Sequence, residues 1–558
     1  MFSDKNIKWI LLILGGALLI LFFLIEPITG GDFQSYGVWR FNAMKLHLMS
    51  ELSFPYFTPT RCGGFTLFGD AHDLSFTPYM LVSFLIPNVY WAAKITNFLL
   101  SILLWMGVYR WLAIFNIASR NARLFSGLLV TISGYWLYHL TLGGHIWGAG
   151  LAYTPWILLL IEKFFQEKPR YRRDYALLWI YLVVLSFLLI NSGYYWLQVA
   201  LPLIALRVAV ELLLSKDKIL CFWQLAVMGA AGAGAILLSL PRFAAIYEFQ
   251  LSSFPRLGGE IPHFQIIGDT KLLVEMLLRS LFDSNLVIHV VRSEKLLGFM
   301  WDYNTFIGLC AIVPIVLSFR RWPNAFRSKA FVALLLAMVF QLAIIRTTHV
   351  ADFVRSVFPL FKSITWYWRG NAILVLGISV LVAFGYEYLL QHKKKALVVC
   401  AVLLMVVNLS EILYANRKMP TPTDEHPISE ILTPYMPPAK PLCVNGPCNL
   451  DNIYGYGNTY PSVLSIKKMD VSDEPVAGYY NMHDVRQLAG PQAKGGYYLT
   501  HPWPLWPRAD KEEFEKFINY KQVVTIPPYL KLINTASGIG WIIFIVFWVL
   551  TVRRLKRS

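Results

Sequence analysis

Charge is what this chain has least of. Only 15% of its 558 residues are charged, and the acidic ones number 33 against 50 basic. With 56% hydrophobic residues, that scarcity excludes an ordinary soluble globular protein. A glycine-rich phosphate loop is missing, as are a Ser-His-Asp arrangement and Cys/His groups at metal-ligand spacing, which disfavours a nucleotide-linked substrate. The 6 cysteines are scattered. Of these, Cys443 and Cys448, around Val-Asn-Gly-Pro, are near enough for a local disulfide on an oxidising side, with a pair of free thiols standing equal to it. No internal repeat is evident, which counts modestly against a transporter built from inverted halves. No small-residue cleavage site precedes Glu26-Pro27, so the first apolar run reads as a retained anchor.

What the chain does have is long apolar runs, the signature of a polytopic all-α membrane protein. They place about twelve spans, near 7–25, 91–114, 123–141, 146–165, 175–191, 194–214, 221–241, 303–319, 329–346, 371–390, 396–414 and 532–552. The net charge of +17 could suggest nucleic acid, but no binding motif accompanies it. Instead the basic residues gather in alternate short links: Lys163 to Arg173, Lys216 and Lys218, Arg320 to Lys329, Lys393–Lys395, and Arg553 to Arg557. By the positive-inside rule these links face the cytoplasm. Both termini then lie there too, in a multi-pass protein of the cytoplasmic (inner) membrane.

Three longer segments fall outside: the opening loop, about 242–302, and about 416–530. Residues 1–415 form a transmembrane domain whose first outer loop covers about 27–90, residues 416–530 a small outer domain rich in Tyr, Pro and Gly, and 531–558 a last span with a basic tail. The first loop concentrates ionisable side chains that a membrane surface seldom tolerates idle: Asp32, Glu51, Arg61, Asp70, His72 and Asp73. Tyr36, Trp39, Phe41, Met44 and Leu48 recur there at roughly helical spacing, as in a helix lying in the interface. Leu74–Pro87 is apolar but broken by Pro78 and Pro87, which suits a membrane-embedded turn better than a full span. Asp32, after Gly30-Gly31, is either a functional carboxylate with a pKa raised near the bilayer or a helix cap. Asp70 and Asp73, three apart, would share one face of a helical turn. Either they bind a divalent cation or one caps the helix starting near Leu74.

Several segments, in order, resemble the YfhO-like branch of the GT-C integral membrane glycosyltransferases. They are Gly-Asp-Phe-Gln-Ser-Tyr from Gly31, Pro55–Pro78 (PYFTPTRCGGFTLFGDAHDLSFTP), Ser133–Trp156 with its Gly-His step, Leu238–Arg256 (LSLPRFAAIYEFQLSSFPR), and Phe358–Gly385. His72-Asp73 stands where a less charged pair is expected, and Cys62 is unusual. The resemblance implies a GT-C-like fold and transfer of a sugar from a polyprenyl-phosphate carrier to a glycan, lipid or other cell-envelope acceptor on the outer face, with inversion. It implies Asp32 as the catalytic base. A Mg or Mn ion held by Asp70 and Asp73 is a possible cofactor. Fixed positive charge for the lipid phosphate would come from Arg61, Arg242, Arg256 and Arg369, with His145 as a phosphate or sugar contact; for each arginine, snorkelling to the interface is the equal alternative. Tyr36, Trp366 and Trp368 would stack on sugar or prenyl chain, or else belong to an ordinary aromatic belt. The rivals are a transporter or flippase of lipid-linked sugars and a non-catalytic scaffold. A transporter should carry its ionisable residues within the spans near the midplane, whereas here they crowd at the outer edge.

The charge alternation makes a direct prediction. In intact cells, a cysteine introduced beside Asp451 should react with a membrane-impermeant thiol reagent, and one beside Lys394 should not. The reverse pattern would invert the orientation.

Overall fold

The computed structural model describes residues 4–26, 28, 75–141, 146–166, 172–193, 196–252, 267, 269–282, 305–358, 361, 367–392, 466–468, 497–499 and 528–556. Nearly all of these are helical. In chain order the helices are α1 (Asp4–Ile20, continued by a π turn over Leu21–Ile25), α2 (Pro78–Leu85), α3 (Val89–Trp111), α4 (Arg120–Thr131), α5 (Gly134–Leu140), α6 (Thr154–Gln166) and α7 (Arg172–Asn191). They continue with α8 (Leu201–Leu214), α9 (Lys218–Leu238), α10 (Leu240–Ser252), α11 (Thr270–Phe282), α12 (Ile312–Ser318), α13 (Lys329–Arg346), α14 (Thr348–Val357), α15 (Ala372–Gln391) and α16 (Pro528–Lys556). Two short strands, β1 (Ile466–Lys468) and β2 (Tyr497–Leu499), pair antiparallel with Lys467 opposite Tyr498.

Among the described residues, seven helical stretches are long and apolar enough to cross a membrane: Asn6–Ile25, Val89–Phe115, Leu197–Leu214, Lys218–Leu238, Lys329–Arg346, Tyr367–Gln391 and Pro528–Arg554. Each coincides with an expected span, and together they make this a polytopic helical membrane protein. An eighth, 175–191, appears as the shorter apolar helix Tyr175–Asn191. The expected span at 396–414 lies outside the described residues.

Three further expected spans are broken rather than continuous. Residues 123–141 split between α4 and α5, 146–165 into a 3-10 stretch (Ile146–Ala152) and α6, and 303–319 into a 3-10 turn and α12. At the first break Ile132 leaves helical geometry and Ser133 is extended (φ −61°, ψ 150°). The Ser133 hydroxyl then accepts from Trp136 N at 3.4 Å, and Gly134 N donates to Phe306 O at 2.6 Å. Irregular backbone at membrane depth survives only when protein groups satisfy it, and here a serine cap and a carbonyl from a distant segment do so. The apolar segment at 74–87 is likewise short: α2 starts with proline in its first turn, where the missing N–H costs nothing, and stops before Pro87.

The bundle is arranged around α15. Of the 18-residue apolar window within Tyr367–Gln391, 89% is buried inside the protein, against 17% for that within Pro528–Arg554. A helix apolar on every side belongs in the centre, and α15 is enclosed by α4, α12 and α13. Small residues permit that enclosure. A side-chain carbon at Gly385 would overlap the Pro314 carbonyl of α12, and one at Gly377 would overlap Met338 Sδ of α13. Phe125 stacks on Tyr386 with centroids 4.1 Å apart. The chain-terminal helix α16 packs on the opposite flank, where Ser537 Oγ donates to Leu238 O at 3.1 Å and Trp541 meets Phe187 edge-on at 4.9 Å.

Because the Gly385 contact is backbone against backbone, no rotamer change relieves it. Gly385→Ala should lower stability by about 1–3 kcal/mol, read as a lower Tm of the detergent-solubilised protein. Gly538→Ala, with open space around it, should leave Tm unchanged or slightly raised.

Candidate active site

The basic links Lys216–Lys218 and Arg320–Lys329 lie at one end of the bundle; at the other, distal end α1 finishes and α2, α3 and α10 begin. Of the residues proposed from sequence, Asp32, Tyr36, Arg61, Asp70, Asp73, His145, Arg256 and Trp366 lie outside the described residues. Arg242, Trp368 and Arg369 are described, and all three are buried at the distal end.

Arg242 follows directly from how α9 stops. Ser239 ends that helix, Leu240-Pro241 starts α10, and Arg242 falls in its first turn, turned inward at 2% exposure. Its Nη1 donates to the backbone carbonyl of Asn191 and reaches the Asn191 side-chain oxygen at 3.4 Å. Asn191 is fixed in turn, donating from Nδ2 to Ser239 Oγ at 2.9 Å and to Phe187 O at 2.8 Å. Arg242 is therefore a held, desolvated charge, not a snorkelling one. Arg369 sits in a 3-10 turn (Tyr367–Asn371) that opens the central span, and its backbone carbonyl accepts from Tyr135 OH at 2.6 Å. Gln341 of α13 clamps the same turn, donating to Tyr367 O and to Asn371 Oδ1, each at 2.9 Å. Trp368, offered from sequence as a stacking platform, is fully buried among Ile344, Ile345 and Leu197 and packs as a core residue.

The roots of the first loop reach this same end. Where the loop leaves α1, Ile28 N donates to Tyr90 OH at 2.9 Å, and Lys94 Nζ donates to Ile25 O at 3.3 Å. Lys94 also feels the negative charge of Glu26, and both are buried. Where the loop returns, Phe76 meets Phe187 at 5.8 Å and packs against the Ala244–Ala245–Leu530 cluster, close in sequence to Arg242. Just beyond it the Tyr79 hydroxyl donates to Asn97 Oδ1, while Asn97 Nδ2 reaches Leu140 O at 3.5 Å. Burial, with Tyr153 beside it, pushes the Tyr79 phenol well above its usual pKa, so it stays a neutral donor at any physiological pH.

Sequence reading passed over Lys94, Asn97 and Asn191. Each is a polar residue inside an apolar run, and that alone marks a candidate functional position in a membrane protein. The expectation that ionisable groups crowd at the outer edge also needs correction. Lys94, Glu162, Arg207, Glu211 and Glu387 are all buried within expected spans. They are tolerated because each has a partner: Arg207 binds Glu162 and Glu211, and Glu387 accepts from Ser119 N at 2.9 Å and pairs with Arg321 at 3.4 Å. The four of these that lie away from the distal end sit within the last few turns before the basic links, not at mid-span.

Chemically, the distal end offers two buried cations, Lys94 and Arg242, beneath the roots of an acidic loop. Such fixed positive charge suits an anion that approaches from the membrane, because it needs no reorganisation at the moment of binding. No protein-family model matches the chain, and none of the curated proteins compared with it does.

The Asn191 clamp carries a stability prediction. Asn191→Leu removes the side-chain acceptor of Arg242 and the donor to Ser239 inside the protein, so it should cost about 1–3 kcal/mol. Ser239→Ala, which removes one neutral bond, should cost about 1 kcal/mol. Thermal unfolding of the purified variants ranks the two, and equal losses would show that the arginine does not depend on Asn191.

Proposed function

We propose that the protein is a membrane glycosyltransferase of GT-C type, moving a sugar from a polyprenyl-phosphate carrier to a cell-envelope glycan, lipid or polymer. In this reading the chain has about twelve spans, both termini are cytoplasmic, and the distal end faces outward. The five ordered segments that resemble the YfhO-like branch support the assignment. A single structural observation carries it further: the loop bearing Asp32, Asp70 and Asp73 is rooted at both ends beside buried, held positive charge, Lys94 at the exit and Arg242 near the return.

The reaction asks little of the protein beyond that pairing. Asp32 takes the proton of the acceptor hydroxyl as its oxygen attacks the anomeric carbon. The bond from that carbon to the phosphate oxygen breaks on the opposite face, and polyprenyl phosphate leaves with the electron pair. Arginine and lysine hold the phosphate and stabilise its growing charge. In this reading Arg369, at the head of the buried central span, adds its charge from the same end of the bundle. A divalent ion on Asp70 and Asp73 would add charge neutralisation at that phosphate when bound.

Asp32→Asn keeps size and most hydrogen bonding but removes the proton acceptor. Transfer to acceptor should fall about a hundredfold to ten-thousandfold, while binding of the polyprenyl-phosphate donor persists. Glu51→Gln in the same loop should be mild. Turnover within a fewfold of the parent would assign Asp32 to helix capping, and loss of donor binding would make it structural.

A further inference from the structure

The basic end of the bundle contains a second site, unrelated to the first. The links at Ile114–Asn116 and Arg321–Ala330, with the ends of α6 and α8, line an open cavity of about 560 Å³. That volume is in the range of small-ligand pockets.

Its floor is a buried ion network. The Arg207 guanidinium donates from Nη2 to Glu162 Oε2 at 3.0 Å, from Nη1 to Glu211 Oε2 at 2.9 Å, and from Nε to Glu162 again, with one face over Phe165 at 4.6 Å. That cation is fully committed, and it neutralises carboxylates that would otherwise attract a metal ion. The walls differ. Lys329 spends one ammonium proton on Glu211 Oε1 at 2.7 Å, and its side chain remains 34% exposed. Arg327 lines the cavity, is exposed, and has no carboxylate partner among the described residues. Among the described residues, four cations, Arg207, Arg321, Arg327 and Lys329, thus face two lining carboxylates, and a third carboxylate, Glu387, stands 3.4 Å behind Arg321. Positive charge is in excess even after that pairing.

Backbone donors point the same way. Helix α13 begins in this wall with Ser328 as its cap: Ser328 Oγ accepts from Phe331 N at 3.4 Å, and Ser328 O from Val332 N at 3.1 Å. The amides of Lys329 and Ala330 are first-turn donors without a helical partner, at the positive end of an 18-residue helix. Beside the cavity, Phe319 and Phe326 are 54% and 51% exposed, with Trp322 between them at 4.7 and 5.8 Å. Exposed aromatic side chains at the ends of membrane helices suit the boundary between acyl chains and headgroups.

We propose that this cavity binds a phosphate group, and that the phosphate is the headgroup of an anionic lipid from the leaflet at the basic end. Arg327, Lys329 and the two free amides of α13 contact the phosphate oxygens, and the acyl chains run outward past Phe326. The glycosyl-transfer reading is not needed for this site.

Thermal unfolding of the full chain in neutral detergent tests it, with phosphatidylglycerol, phosphatidylcholine or inorganic phosphate added to the parent, Arg327→Gln, Arg327→Lys and Ser328→Asp. Phosphatidylglycerol should raise the Tm of the parent and of Arg327→Lys. Arg327→Gln should need about tenfold more of it, the worth of one charge-assisted hydrogen bond. Ser328→Asp keeps an equally good cap but adds a negative charge, so it should fold normally and lose the response. Phosphatidylcholine should do much less. If inorganic phosphate reproduces the shift and the lipid does not, the anion site stands and its lipid source falls. Equal responses to the two lipids, or a response that both Arg327→Gln and Ser328→Asp leave unchanged, would overturn the proposal.

Discussion

Everything in this bundle depends on hiding one helix completely. The central span α15 has no side that faces lipid or water along most of its length, so its neighbours must fit it all round at once. Apolar burial alone does not specify such a fit in a membrane, because lipid tails are as apolar as leucine. Close approach does. At Gly385 the backbone of α12 lies against the backbone of α15, and at Gly377 a methionine fills the space a side chain would take. Polar ties then fix register: Glu387 holds the amide that begins α4, and Gln341 holds the turn that begins α15.

The two ends of the bundle use charge in opposite ways. At the basic end the buried ions are mutually neutralised, in a network spanning α6, α8 and α13. At the distal end the Arg242 guanidinium is oriented by the two oxygens of Asn191, on a helix that ends beside it.

Hydropathy made the membrane class and seven spans legible, because a long apolar run carries its own length signal. It did not reveal the breaks at Ser133 and Gly308. Hydropathy averages over a window, whereas a cap is one hydroxyl and one distant carbonyl, and Phe306 lies far along the chain from the Gly134 amide it receives. Arg242 and Arg369 were legible as candidates from their place beside span ends, but their burial was not, since it depends on tertiary partners such as Asn191. Trp368 was misleading for the same reason: an aromatic at a span end looks identical in sequence whether it faces a ligand or the core. The buried charges of α6 and α8 were visible in the sequence yet hidden by the apolar residues around them, and their meaning emerged only once Glu162 and Arg207 proved to be 45 positions apart and paired.

The lateness of α15 in the chain has a consequence for how the protein is made. The Tyr135 hydroxyl must wait for a carbonyl 234 residues downstream, and the Ser119 amide for a carboxylate 268 residues downstream. At ribosomal speeds of about 5–20 residues per second, that is roughly ten seconds to a minute after the early helices emerge. Throughout that interval α3, α4 and α5 are in the bilayer while Phe125, the Tyr135 hydroxyl and the Ser119 amide still lack the residues of the central span that cover them. The early helices must therefore shelter their polar edges provisionally, against one another, lipid or the insertion machinery, until the helix that completes them is threaded into place.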